Sequence, residues 1–423
     1  MRVAILATRI AGTDGVSFEA ERWREILSRM GHRVTFIAGQ LDRSGILIPE
    51  LHFQWPRVVE LHDKVVYSKG NYKDIEAEVF KVAGDIEGKL RDVFHNGMKF
   101  DLLVVPNVFS IPLHFPLAVA LARLIEEDNI PTIARHHDFW WERKRFNNST
   151  MFEFFKRWFP PLLPSIKHIV INSIARKELK TRTGADAGVI WDTFDFSSQL
   201  NKPDSYAKGW RDDFGISKED IVFLQATRIV PRKRIELSIE LLSKLNEPKA
   251  TLVIAGYSGD EGKGYEGKLR ALCKERGIRY KFIGKFINSR RRVIQANNKE
   301  KKLRRKIYTL WDCFVNCDFV TYPTVVEGFG NQFIETTYFR KPIVITPYPV
   351  FELDIKPCGF KVITMPDGVT KEVINNVRSL IDNPGEVERM VDYNYKLGKK
   401  YFDYEVVERK LKCLFKEMKL QSN

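Results

Sequence analysis

Cysteine is scarce and scattered in this 423-residue sequence: Cys273, Cys313, Cys317, Cys358 and Cys413 are odd in number and form no framework. That excludes a disulfide-stapled fold and fits a reducing compartment. Cys313 and Cys317 can share a helix face, yet no nearby His or second Cys pair completes a zinc set, so they read as core thiols. Long hydrophobic runs are missing too. The longest apolar region, Ile111–Ile125, is interrupted by Pro112, His114, Pro116 and Arg123; it is too short to span a bilayer and reads as a buried helix. The opening MRVAILATRIAG has no long apolar stretch followed by a small-residue cleavage site, so a secretory signal is not expected. These absences point to a cytoplasmic protein. No Asp-x-Asp pair occurs anywhere, which removes the usual carboxylate anchor for a metal–diphosphate complex, and no metal site is assigned.

What is present is a large apolar fraction, 44%, in a chain long enough for two or three domains. The net charge of +15 calls for anionic partners. Much of it is local, because Arg290–Lys306 carries nine Lys or Arg against Glu300 alone. That segment lacks interleaved aromatics, and no nucleic-acid motif occurs elsewhere, so nucleic acid is not expected as a partner. It reads as a solvated helix face, or as a contact for anionic lipid or acceptor at a membrane periphery.

The chain is organised around Val325–Phe339, VVEGFGNQFIETTYF. Apolar Phe314–Val320 predicts a short buried strand, Thr321–Thr324 a break, and Asn331–Phe339 a helix, with Gly328 and Gly330 allowing close approach of backbone to a ligand. A helix N-terminus presents unpaired N–H groups and favours an anion. Glu327 and Glu335 are eight positions apart, on the order of 10–12 Å along a helix, comparable to a nucleoside diphosphate. One carboxylate can then meet ribose while the other faces a sugar. A plain acidic first turn is the alternative.

Strand and helix patterns alternate on both sides of this stretch, as in doubly wound parallel sheets. Arg2–Ala7, a small-residue turn at Gly12, Gly15 and Ser17, a helix Phe18–Met30 and a strand Val34–Ala38 make a first β-α-β unit. Strands follow at Leu102–Val105, Thr132–Ala134 and Ile169–Ile171. The strand Thr132–Ala134 runs into RHHDFWWER, Arg135–Arg143, where His137 and Asp138 are the candidate site residues. Asn172 and Ser173 either face the cleft or cap the next helix. Phe152–Pro164 interleaves Lys156 and Arg157 with aromatics and reads as core packing beside a Pro-rich loop, with a membrane or acceptor contact as the other reading. Asn201–Gly209 has linker composition. A second series begins at Ile221–Ala226, followed by TRIVPRKR, in which Arg228 and Lys233 sit in a strand-to-helix turn and can clamp an anion. Leu252–Ala255 with Gly256 and Gly259, Phe282–Ile283 and Pro342–Thr346 continue it, Tyr348–Lys356 reads as a loop, and residues from about Glu386 onward are helical.

EGFGNQFIE resembles the E-x7-E signature of retaining glycosyltransferases of the GT-B fold, family 4 in particular. TRIVPRK is similar to that family's G-R-x-x-x-x-K motif, with Thr227 in place of the usual Gly. The resemblance implies an α/β GT-B architecture of two Rossmann-like domains facing a cleft: 1–200 on the acceptor side, 201–395 binding the nucleotide sugar, and 396–423 a terminal helix crossing back. It implies that Arg228 and Lys233 hold the donor diphosphate, Gly330 and Asn331 contact phosphate or hexose, and Glu335 binds ribose. Glu327 and His137 lie at the sugar as catalytic residues, Gly284 and Phe286 lie beside the donor base, and Gly15 and Asp138 line the cleft. The implied reaction is metal-independent, retaining transfer of a hexose from a UDP- or GDP-sugar to a hydroxyl of a small glycoside, sugar or lipid-linked acceptor, with no other cofactor. TYPTVVEGFGNQFIE together with RHHDFWWER looks like enzymes that build small glycosides of glycerate. A nucleotide-sugar 2-epimerase and a non-catalytic nucleotide-sugar binder share the architecture and stand as alternatives.

Overall fold

The computed structural model describes residues 1–12, 15–66, 71–147, 151–258, 263–298 and 301–420. The chain forms two compact units, Met1–Asp192 with Tyr404–Asn423, and Thr193–Asp403. The polar stretch 201–209 expected as a linker therefore lies inside unit 2, where Asp204 caps the helical turn Ser205–Lys208.

Unit 1 is built on seven parallel strands, β1 (Arg2–Ala7), β2 (Arg33–Ala38), β3 (Ile46–Leu47), β4 (Leu102–Pro106), β5 (Thr132–His136), β6 (Ile166–Val170) and β7 (Gly188–Val189), in the order β3-β2-β1-β4-β5-β6-β7. Strands covered on both faces need apolar residues at nearly every position, which is how RVAILA and LLVVP read. Alternate residues enter different cores. Val3, Ile5 and Ala7 join Trp23 and Ile26 of helix α1 (Gly15–Arg29), with Val407, Leu411 and Phe415 of the C-terminal helix Tyr404–Glu417. Ala4 and Leu6 join the opposite core with helix α2 (Phe115–Asp128). The Phe152–Trp158 helix places Phe154 and Phe155 in that second core, consistent with the packing reading.

Unit 2 repeats the plan with β8 (Ile221–Gln225), β9 (Ala250–Ile254), β10 (Arg279–Phe282), a hairpin of β11 (Arg292–Asn298) and β12 (Lys301–Ile307), then β13 (Phe319–Tyr322), β14 (Ile343–Ile345) and β15 (Ile363–Thr364). Its parallel sheet runs β10-β9-β8-β13-β14-β15. Helix α3 (Glu236–Leu245) follows β8 and helix α4 (Asn331–Tyr338) follows β13.

Three expectations are corrected. The basic segment is not a helix face: β11 and β12 pair antiparallel, from Arg292 opposite Ile307 to Asn298 opposite Lys301. Tyr206 Oη donates to both Arg292 O (2.9 Å) and Ile307 O (3.0 Å), tying the base of the hairpin to unit 2. Phe314–Asn316 belongs to the helix Leu310–Asn316, opened by a Thr309/Asp312 capping box, and the strand begins only at Phe319. The loop expected at Tyr348–Lys356 holds a helical turn, Phe351–Ile355.

Unit 1 buries several histidines. His114 Nε2 donates to Glu50 O (2.8 Å) and its Nδ1 accepts from Leu117 N (3.1 Å), capping α2 as a neutral ring. His136 pairs with His168 at 3.0 Å. Burial lowers His114 and His168 to about 4 and pushes His136 down as well. The unfolded chain, with ordinary values near 6.5, takes up these protons first, so the stability they contribute is intact above about pH 6.5 and is lost as pH falls toward 4. His114 and His168 are each worth about 3 kcal/mol by pH 4, and together with His136 and His137, which burial also lowers, they outweigh the raised carboxyls of Asp192 and Glu142, which burial pushes the other way. The urea midpoint should therefore be lower at pH 5 than at pH 7.5; an equal or higher midpoint at pH 5 contradicts this account.

Candidate active site

In a 3-2-1-4-5-6 parallel sheet the order reverses between the first and fourth strands, here β8 and β13, and the loops leaving their carboxyl ends diverge to leave a ligand crevice. The loop after β8 carries Arg228, Arg232 and Lys233; the loop after β13 carries Glu327 and Gly330 before α4 begins. Backbone and side-chain bonds join the two loops. Val325 N–H donates to Arg232 O (3.3 Å), and Arg232 Nη1 donates to Val326 O (3.1 Å). Lys233 Nζ forms a direct ion pair with Glu327 Oε1, the two side chains being only 7% and 12% exposed. Arg232 reaches the other carboxylate oxygen at 3.8 Å. Burial holds Lys233 below the ordinary lysine value; the charges of Arg232 and Arg228 add to that, and Glu327 opposes it. Arg228 itself is exposed.

Two tyrosines complete this corner, and sequence reasoning missed both. Tyr322, the last residue of β13, is buried, and its hydroxyl meets Glu327; burial and the carboxylates Glu327 and Glu335 push its ionisation far up. The available signal was a polar atom ending an otherwise apolar strand. Tyr348 Oη donates to Phe329 O (2.7 Å) directly beneath the turn. Gly330 starts α4 with φ +117°, and a Cβ there would lie 2.1 Å from Tyr348 Oη. Glycine is thus required twice, by backbone and by space. Gln332 Nε2 donates to Thr321 O (3.2 Å), anchoring the first turn of α4 to β13. Glu335 is buried one turn in, and Asn331 is half-buried at the helix start.

Gly284 and Phe286, expected beside a donor base, have internal work. A Cβ on Gly256 would lie 1.7 Å from Thr227 O, and one on Gly284 2.1 Å from Gly256 O, so the turns after β8, β9 and β10 stack backbone on backbone. Phe286 N–H donates to Ile283 O (2.8 Å), and its carbonyl accepts from Tyr308 N–H (2.8 Å). Its ring packs on Phe214 under the Arg305 guanidinium, 3.7 Å away. Gly259 lies outside the described residues.

Unit 1 holds the remaining candidates. Gly15 opens α1 at an exposed position; Thr13 and Asp14 lie outside the described residues. Asp138 pairs with Arg143. Asn172 Oδ1 accepts from Ala175 N–H (2.7 Å), so it caps the following helix. His137 is half-buried with both ring nitrogens engaged: Nε2 with Arg135 Nη1 at 2.9 Å and Nδ1 with Asn107 Oδ1 at 3.1 Å. Burial and the Arg135 charge hold it neutral. Arg135 is itself buried, 3.1 Å from Glu19 and 2.9 Å from Asp192, with its guanidinium over Trp23. Burial and the neighbouring Glu19 raise Asp192 to about 7.

Residues 207–397, most of unit 2, match the family model described as glycosyl transferases group 1. Over nearly its full length the chain resembles mannosylglucosylglycerate synthase of Thermotoga maritima, 33% identical across 96% of this chain and 98% of that protein. The protein of the same name from Petrotoga mobilis is 33% identical across 86% of each. Among solved structures, sucrose-phosphate synthase from Thermosynechococcus elongatus aligns with TM-score 0.68 at 15% identity over 100% of both chains. Anabaena HepE in complex with UDP and glucose aligns with TM-score 0.64 at 14% identity over 98% of this chain and 99% of that one. At such identities these two speak for the fold.

The Gly330 geometry yields a test of the turn. Gly330→Ala should cost about 3 kcal/mol or more through the forced contact and the strained φ. Because the clashing atom is an oxygen, adding Tyr348→Phe should give a double variant less destabilised than the sum of the singles in urea titrations. Wild-type stability of Gly330→Ala, or full additivity, contradicts the assignment.

Proposed function

This chain belongs to the group 1 glycosyl transferases, and we propose that it moves a hexose from a nucleotide-diphosphate sugar to a hydroxyl of a small glycoside of glycerate, with retention at the anomeric carbon. The observation that carries the reading is the Lys233–Glu327 pair, formed between the loops that leave β8 and β13, with Arg228 and Arg232 beside it and the amino end of α4 adjoining. A diphosphate entering this corner meets two guanidinium groups, an ammonium and exposed N–H groups. It competes with Glu327 for Lys233, and the freed carboxylate then faces the hexose. Gly330 and Asn331 contact phosphate or sugar, and Glu335 binds the ribose hydroxyls. His137, neutral with both nitrogens engaged, positions rather than titrates.

In the transfer the bond from the anomeric carbon to the donor phosphate oxygen breaks. The acceptor oxygen bonds to that carbon from the same face, and its proton passes to the departing phosphate. Lys233, Arg228 and the α4 amides stabilise the charge gathering on the leaving group, which gives them the electrostatic task otherwise served by a metal. Two relatives that share a third of their residues with this chain carry the name mannosylglucosylglycerate synthase; that supports mannose as the hexose and glucosylglycerate as the acceptor.

The test incubates purified protein with GDP-mannose, UDP-glucose or their counterparts, with and without glucosylglycerate, in Mg²⁺ or EDTA, and reads products and anomeric configuration by NMR. One donor should be consumed only with acceptor, giving a retained linkage at equal rates in EDTA. Lys233→Ala and Glu327→Ala should each lower turnover 10-fold or more. Epimerised sugar from donor alone, or binding without turnover, overturns the proposal, and an inverted product overturns retention.

A further inference from the structure

A directional hydrogen-bond chain runs through unit 1 and ends on a residue to which no role has yet been given. A guanidinium only donates, so the 2.9 Å contact between Arg135 Nη1 and His137 Nε2 makes that nitrogen the acceptor. The ring proton therefore sits on Nδ1 and is donated to Asn107 Oδ1 at 3.1 Å. The orientation of the Asn107 amide is fixed independently, because His137 N–H, 2.8 Å away, can only donate and so requires an oxygen there. Ser110 Oγ adds a third, weaker bond to the same oxygen at 3.3 Å. The amide NH₂ takes no part in these bonds and is left for another partner.

Asn107 sits immediately after β4, the strand next to β1 where the order of the unit 1 sheet reverses, and its side chain is half-buried. Its backbone is in the left-handed region, φ +59°, with its N–H on Arg135 O (2.9 Å) and its carbonyl accepting from Ser110 N–H (3.2 Å). A non-glycine residue held in this conformation is a strained position fixed by its surroundings. The chain begins at a buried cation, and each donor polarises the next, strengthening the final N–H as a donor.

We propose that the Asn107 amide is an acceptor-binding group, donating to an oxygen of the acceptor's carboxylate, with Arg135 and His137 as positioning residues that fix its direction. A donor-only head suits a carboxylate, which only accepts. The proposal rests on the reading of the acceptor as a glycoside of glycerate.

The experiment measures binding of glucosylglycerate and of glycerate by calorimetry to wild type, Asn107→Asp and Asn107→Gly, together with binding of the preferred nucleotide sugar and the Tm of each protein. Asp keeps the oxygen that His137 requires but replaces the donor with an anion; Gly accepts the left-handed backbone and removes the side chain. Asn107→Asp should weaken both acceptor ligands 10-fold or more and Asn107→Gly by less, with nucleotide-sugar affinity within twofold of wild type. Acceptor affinities unchanged in both variants, or acceptor and donor affinities falling together with Tm, overturn this inference and leave the glycosyl-transfer reading standing. Failure of the wild type to bind either acceptor ligand overturns both.

Discussion

An ammonium and a carboxylate withdrawn from water each cost several kcal/mol unless they find one another. Lys233 and Glu327 satisfy that requirement 94 positions apart in sequence, and the site in unit 2 depends on it. They can meet only because β8 and β13 are neighbours, and those strands are neighbours because the sheet reverses its order there. Around the pair, Tyr322 seals one side and Arg232 ties the loops together through backbone oxygen, so the charges are held without depending on long flexible side chains alone. The pair is neutral as a unit, while the adjacent exposed Arg228 is not. On the proposed function, an anion arriving there exchanges one partner of Lys233 for another instead of filling a vacant cation site.

Unit 1 has a different arrangement. Glu19, Arg22, Arg135 and Asp192 are all buried, drawn from α1, β5 and the segment leaving the unit. Buried ionic clusters contribute little net stability compared with a well-packed apolar core. Their presence at the carboxyl ends of the strands makes more sense as a means of setting direction. Arg135 fixes which nitrogen of His137 carries the proton, and burial keeps that ring uncharged. The result is a hydrogen-bond polarity decided by one residue and delivered at another.

The parallel sheets were legible because strands buried on both faces are apolar at nearly every position, as in Arg2–Ala7 and Ile221–Gln225, where the one polar residue stands at a strand end. The E-x7-E stretch was legible because two glycines, a helix start and two carboxylates compress into nine residues. Phe314–Asn316 misled because a short apolar run looks the same in a buried strand and in a short helix. The β11–β12 hairpin misled because its charge hides the alternation by which strands announce themselves. Asn107 and the partners of Arg135 were invisible for a simpler reason: what they do depends on contacts across tens of residues, such as the 57 positions between Arg135 and Asp192. Gly256 reads from sequence as part of a plain turn and Gly284 as lying beside a donor base; carbonyl oxygens of neighbouring turns demand the small size of both.

The helix Tyr404–Glu417 supplies Val407, Leu411, Leu414 and Phe415 to a core whose other members include Val3, Ile5 and Trp23. Residues of β1 therefore wait for a segment about 400 positions further along the chain before one face of their sheet is covered. Thr193–Asp403, contiguous in sequence, has no such delay. Biosynthesis thus favours completion of unit 2 before unit 1, and a stop just before Tyr404 would damage unit 1 rather than the unit beside the stop in sequence.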